Sequence, residues 1–451
     1  MPLILLALLS LGGCVGRDVD DSTNRDSEPS PEPTEVPPSC GGLDRVIQLS
    51  GLGDVVVEDL TMRGDEVVVA GAYWGTLEFG DTTLTSLSSS DAFLLRFGPD
   101  GLAWHATLEG SRIDTARYVD ATPDGGLVVS GNYQISLAVE GVEQPVADHD
   151  SNTFLVRYTA SDEVGFVSTV SGGYVRAGGL LAGGDGAVFI SGHYTAPSAV
   201  FGGGTLAETV LPNDTVNYDR WGYLAKYDGD GSLQWATHAQ AGPHQASQGF
   251  AEAVGLGALD EGGVALIGRF SNGLTLALGT PEEVYFNPQP ALDNVQHAWI
   301  AGYDADGRLL WTELPTSILG NDYPRAVSSS ADGFVVAGIA SEAATFGPGG
   351  DNEQTFDAQP TNYFAAYGDD GTLHFARAFQ EQYGGIAPNS VGLQAEVVAL
   401  GGLFTSTVTL GQGLDTEVTL RAGDHNSPFA ATYDANGDFK CVWETHTTGD
   451  K

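Results

Sequence analysis

The feature that most restricts the fold is a pair of aromatic residues four positions apart that recurs six times. The pairs are Phe93/Phe97, Phe154/Tyr158, Tyr223/Tyr227, Trp299/Tyr303, Tyr363/Tyr367 and Phe429/Tyr433. Their second members lie 61, 69, 76, 64 and 66 residues apart, so six units fill positions 52–446. Periods of this length mark supersecondary units that bury their apolar faces against one another. In a strand, residues i and i+4 point to the same face, so each pair lines one packed surface. Spacing four also suits a helix, but the surrounding runs are β-branched and glycine-dense, with 62 glycines in 451 residues.

Other columns complete the unit. An apolar strand ends in Gly-x-aromatic at Gly71, Gly131, Gly192, Gly268 and Gly402, and at Gly338 without the aromatic. Nine to eleven residues later a second glycine recurs, at Gly80, Gly141, Gly202, Gly279, Gly347 and Gly411. The aromatic pair leads into a turn such as YDADG at 303–307, then into a strand such as LAWHATL or LQWATHA. Four strands joined by turns form a β-propeller blade. The expected fold is all-β: a single propeller of about six four-stranded blades. An extra strand at the front, VIQLSG at 46–51, matches HATLEG at 105–110. It is expected to help close the ring, by adding to the sixth unit's own fourth strand or by replacing it.

The acidic turns raise the question of chemistry. YDADGRLLW at 303–311 offers Asp304 and Asp306, and YDGDGSLQW at 227–235 offers Asp228 and Asp230. Calcium needs six to eight oxygens, and no later acid completes the set. Asp-Gly instead supplies the positive φ of a tight hairpin. The nine histidines show no metal-ligand spacing, and no nucleophile or phosphate-loop motif occurs. No catalytic residue, metal ligand or cofactor is therefore assigned. Trp74 and Trp221 lie off the repeat columns and are the candidate ligand-contact aromatics. A carboxylate pair from two blades at the channel mouth is not visible in sequence order.

The ends of the chain speak to location. MPLILLALLSLGGC at 1–14 has the length of a signal-peptide apolar region, too short to span a bilayer. Its LGGC resembles a bacterial lipobox, which implies cleavage after residue 13 and lipidation of Cys14. Residues 14–39 then form a disordered acidic tether rich in proline and serine. Extended, positions 17–39 reach roughly 70 Å. The propeller occupies 40–451. Cys40 precedes the extra strand and Cys441 stands in the tryptophan column of the sixth unit. In an oxidising compartment the two are expected to pair, with two separate buried thiols as the alternative.

The repeats resemble the propeller repeats of bacterial lipoproteins, akin to SBBP and quinoprotein-like repeats, over nearly all of 44–446. The second unit departs from them with YTASDEVGF and no Asp-Gly. The resemblance implies a fold and hardly a function. A formal charge of −41 argues against nucleic-acid partners. The reading is an envelope lipoprotein, at the outer membrane or cell surface, held through a lipid anchor. It is read as a monomer acting as a binding module for a protein or glycan. The alternatives are a glycan-active hydrolase or lyase with carboxylates at the channel mouth, and an envelope-assembly scaffold.

Overall fold

The computed structural model describes residue 49 and residues 51–444, apart from short segments at 87–88, 145–150, 196, 203–207, 214–218, 243–248, 288–294, 318–321, 341–342, 357–360, 381–386, 395–396, 405–406, 412–416 and 422–426. Six four-stranded antiparallel sheets stand in a β-propeller arrangement. Their inner strands are Val55–Arg63, Thr115–Ala121, Val175–Ala182, Phe250–Ala258, Tyr323–Ser330 and Ala387–Gln394. Blade 4 is representative: Phe250–Ala258 pairs with Val264–Ser271, then His297–Tyr303, then Leu309–Glu313. All six inner strands carry a β-bulge at the same place, at Glu58, Arg117, Gly178, Val254, Arg325 and Asn389. A bulge adds twist and re-aims side chains, so every inner strand is bent alike.

The column glycines have a packing cause. Gly268 lies opposite Trp299, and a Cβ on it would meet the indole at 2.3 Å. Gly71, Gly131, Gly192 and Gly338 are overlain in the same way by Phe93, Phe154, Tyr223 and Tyr363. In these five pairs the first aromatic thus lies across a neighbouring strand that only glycine leaves bare. Trp299 is fully buried as a result, in an apolar cluster that runs across blades 2, 3 and 4.

The acidic turns fasten one blade to the next. Trp235, on the outer strand of blade 3, donates its Nε1–H to the Ala305 carbonyl in the turn of blade 4 at 3.0 Å. Trp311 of blade 4 does the same to Asp369 of blade 5 at 2.8 Å. Each indole lies on the turn glycine, with a Cβ on Gly307 or Gly371 predicted to meet it at 2.8 or 2.7 Å. Blade 2 solves the junction differently. Asp162 takes the glycine's place at φ 67°, and its carboxylate receives Arg63 at 2.7 Å and Arg96 from blade 1. Aspartate tolerates that conformation, which explains a turn without glycine.

The four-strand unit needs one correction. The second glycine column marks an additional hairpin in every unit, with all six glycines at φ 58–79°. Three of these hairpins extend the outer sheet edge of the preceding blade, as where Val139 pairs Leu108, Phe201 pairs Val170 or Leu274 pairs Ala241. A fourth pairs with Thr316–Ser317 just beyond the outer strand of blade 4, and a fifth packs beside Leu373–Gln380 of blade 5. The outer strands of blades 1, 2 and 3 therefore have two parts, one serving their own blade and one serving the next hairpin. Most of the front strand, 46–51, lies outside the described residues. Gly51 approaches the Thr76 carbonyl as Gly172 approaches that of Ser198, and Thr76 N–H donates to Leu52 O at 3.0 Å. The described N-terminal residues thus lie beside the Thr76–Phe79 strand as an outer strand lies beside the hairpin in the units that follow, and Phe439–Glu444 is the fourth strand of blade 6.

Candidate ligand-binding face of blades 3 to 5

The acidic turns are occupied as turns. Asp304 Oδ1 accepts the N–H groups of Asp306 and Arg308 at 2.9 and 2.8 Å, and Asp434 Oδ1 accepts those of Asn436 and Asp438 at 3.0 Å. Among the described residues no group of three His, Cys, Asp or Glu side chains is placed to hold a metal ion.

Of the two off-column tryptophans, Trp221 is 3% exposed and sits edge-on to His238 at 5.3 Å and to Tyr194 at 6.4 Å. Packing explains it, and it presents no face to a ligand. Trp74 is half-buried, and its backbone N–H ties the N-terminal segment to blade 1 through Asp54 O at 2.9 Å. Cys14 and Cys40 lie outside the described residues. Cys441 stands in the outer strand of blade 6, with its Sγ 3.1 Å from Thr432 Oγ1.

A different group converges at the end of the propeller opposite the acidic turns. It comes from two columns: the residue two before the bulge, and the x of Gly-x-aromatic. In blade 3 these are Arg176 and His193, paired across strands; in blade 4 they are Glu252 and Arg269, also paired. Arg220 enters beside them, because its carbonyl accepts the Ala251 N–H at 2.8 Å and so staples blade 3 to blade 4. Tyr323 and the bulged Arg325 come from blade 5.

Glu252 is 2% exposed and organises the cluster. Its Oε1 is ion-paired to Arg220, and its Oε2 accepts from Arg269 Nε at 2.8 Å and Nη2 at 2.7 Å. The remaining Arg269 nitrogen donates to Gln296 Oε1 at 3.2 Å. Phe250 lies between two guanidinium groups, Arg220 at 5.2 Å and Arg269 at 5.7 Å, and Tyr323 takes the Arg269 charge at 5.4 Å. Arg176 lies over Tyr174 at 5.0 Å, and Arg325 donates to Asn389 Oδ1 at 3.4 Å. Cation–π contacts and a buried carboxylate hold these long side chains in place before any ligand arrives.

The electrostatics are lopsided. Of the four arginines, Arg220 and Arg269 share Glu252, and among the described residues no other carboxylate is ion-paired to any of them, although Asp219 and Asp322 lie buried next to Arg220 and Tyr323 in sequence. Burial pulls the Glu252 carboxyl up, but His193, Arg269 and Arg220 outweigh it and hold it below the usual range. Burial also lowers His193, to about 4; Glu252 opposes the shift, and Arg220, Arg176 and Arg269 add to it. The imidazole is therefore neutral at pH 7 and adds a hydrogen-bonding group without charge. Asp219 lies buried beside Arg220 in sequence, engaged by the Gly249 N–H at 2.9 Å. A net-acidic protein thus concentrates positive charge at one end of three adjacent blades.

Carboxylates from different blades do meet, at blades 1 and 2. Asp59 Oδ2 accepts the Val119 N–H of blade 2 at 2.9 Å, and Asp120 Oδ2 accepts the Ala182 N–H of blade 3 at 2.9 Å. Burial, with Asp120 and Glu58 adding, pushes Asp59 up to about 7. Each is a clamp between neighbouring inner strands, a role taken by Ser329 and Ser328 further round the ring.

None of the arginine cluster was singled out from sequence, because its members are spread over positions 176–325. The signal that finds them is the column itself. Two before the bulge it reads Val56, Thr115, Arg176, Glu252, Tyr323, Ala387, and charge appears in blades 3 and 4 only. A scan against protein-family models finds no match for this chain, and a search of curated proteins finds none either.

Proposed function

We propose that the protein is an extracytoplasmic binding module, held to the envelope through lipidated Cys14, whose ligand docks at the arginine-bearing end of blades 3 to 5. The observation that carries the reading is a group of four arginines on three adjacent blades, two of them held by the buried Glu252 and two without an ion-pair partner among the described residues, in a protein of net charge −41. At the opposite end each arginine meets an acid: Arg157 pairs Asp124, Arg63 pairs Asp162, and Arg96 pairs both Asp162 and Glu66; Arg176 and Arg325 pair none among the described residues. The lipobox-like LGGC and the acidic tether support the anchored location, and the resemblance to lipoprotein propeller repeats agrees with it. The position of Cys441 supports pairing with Cys40. The test is a binding screen of glycans and envelope proteins, run beside lipid labelling of the expressed chain. Labelling lost in Cys14→Ala, together with a ligand from either class, is the expected result. No label and no ligand would overturn the reading.

A further inference from the structure

The ligand's chemical class is legible in the same face, and this inference rests on the binding-module reading above. Arg176 and Arg325 make no ion pair with a described residue, and Arg220 keeps an exposed side chain beyond its contact with Glu252. All the cations are arginines, whose planar forks match a carboxylate in two hydrogen bonds. Around them stand neutral hydrogen-bonding groups: Gln296, Asn389, the Tyr323 hydroxyl and the His193 imidazole. Such groups suit hydroxyls rather than further charge.

The rest of the molecule restricts size and charge. With a formal charge of −41, a long polyanion is repelled over most of its length. Screening confines attraction by the cluster to about 8 Å at physiological salt. A ligand whose single negative group rides on a neutral, hydroxylated body meets the attraction and escapes the repulsion. We propose that this face binds the carboxylate of a small hydroxylated acid of the uronic-acid type.

The experiment is calorimetric titration of the full chain with glucuronate and galacturonate, with glucose, galactose and inorganic phosphate as parallel arms. The inference expects saturable binding of a uronate, no binding of either neutral sugar, and weaker binding of phosphate. The double variant Arg176→Ala/Arg325→Ala should lose about 10-fold or more in affinity, with an unchanged unfolding midpoint because neither side chain is ion-paired to a described residue. Unaltered uronate affinity in that variant would overturn it, as would equal binding of a neutral sugar or tighter binding of phosphate. If no uronate binds while the glycan and protein screen finds another ligand on this face, the ligand class fails and the module stands. If neither experiment finds a ligand, both fail.

Discussion

At the scale of single residues, the glycines and acids of the acidic turns have separable jobs. Gly307 needs φ 82° and also leaves room for Trp235, whereas Gly279 needs φ 79° and has nothing near its missing side chain. Gly307→Ala should therefore cost about 2–4 kcal/mol and Gly279→Ala only about 1 kcal/mol, a ranking that denaturant titration can check. Asp304→Asn keeps the oxygen that accepts two backbone N–H groups, so its melting temperature should stay within about 2 °C of wild type, with or without added calcium. Asp114 provides a pH test. Burial, with Asp91 adding, pushes it up to about 8 while the Gln134 N–H opposes. An acid raised on folding holds its proton in the native state after the unfolded chain has lost it. Its stabilising share is full below about pH 4 and is lost as pH rises toward 8. Asp114→Asn should then be the more stable protein at about pH 8, by on the order of 1–2 kcal/mol, and should fall less steeply from pH 5 upward. Equal slopes in the two proteins would show that this carboxyl does not titrate as described.

At the scale of elements, much was legible and some was not. The Gly-x-aromatic column and the aromatic pairs located the two middle strands of each blade, because packing of a ring over a bare glycine leaves a fixed spacing, and the apolar and tryptophan-bearing runs flanking them gave the other two. The turn reading of YDADG followed from its glycine and from the missing third acid. The extra hairpins were not legible, although their glycines were. Strands as short as Val142–Glu143 carry too few residues for alternation to show. Splitting the outer strand between two blades likewise leaves no mark in composition. It makes a prediction about cooperativity. Trp311 stacks on Phe334 of blade 5 at 6.0 Å and donates to Asp369, so it belongs energetically to two blades. Trp311→Ala should cost about 3–5 kcal/mol and should increase amide exchange in blade 5 as well as blade 4. Exchange raised in blade 4 alone would contradict a shared strand.

At the scale of the whole molecule, ring closure and charge distribution decide function, and neither is a local property. The described N-terminal residues run along the Thr76–Phe79 strand, where the Thr76 N–H donates to Leu52 O at 3.0 Å. A Cys40–Cys441 bond should appear as one cross-linked peptide under non-reducing conditions. Closing a loop of roughly 400 residues, it should stabilise by about 5 kcal/mol in the loop-closure model, lost in Cys441→Ser. The arginine face could not be read along the chain, because its members come from separate units and meet only when blades 3, 4 and 5 stand side by side. Composition pointed away from it, since the net charge of −41 conceals four clustered cations. The most direct test of a binding module with this face is hydrogen–deuterium exchange on the full chain, with and without a ligand from the screen. Protection should concentrate around Tyr174–Arg176, Phe250–Glu252 and Tyr323–Arg325. Protection confined to the acidic turns at the opposite end, with these three stretches unchanged, would contradict it.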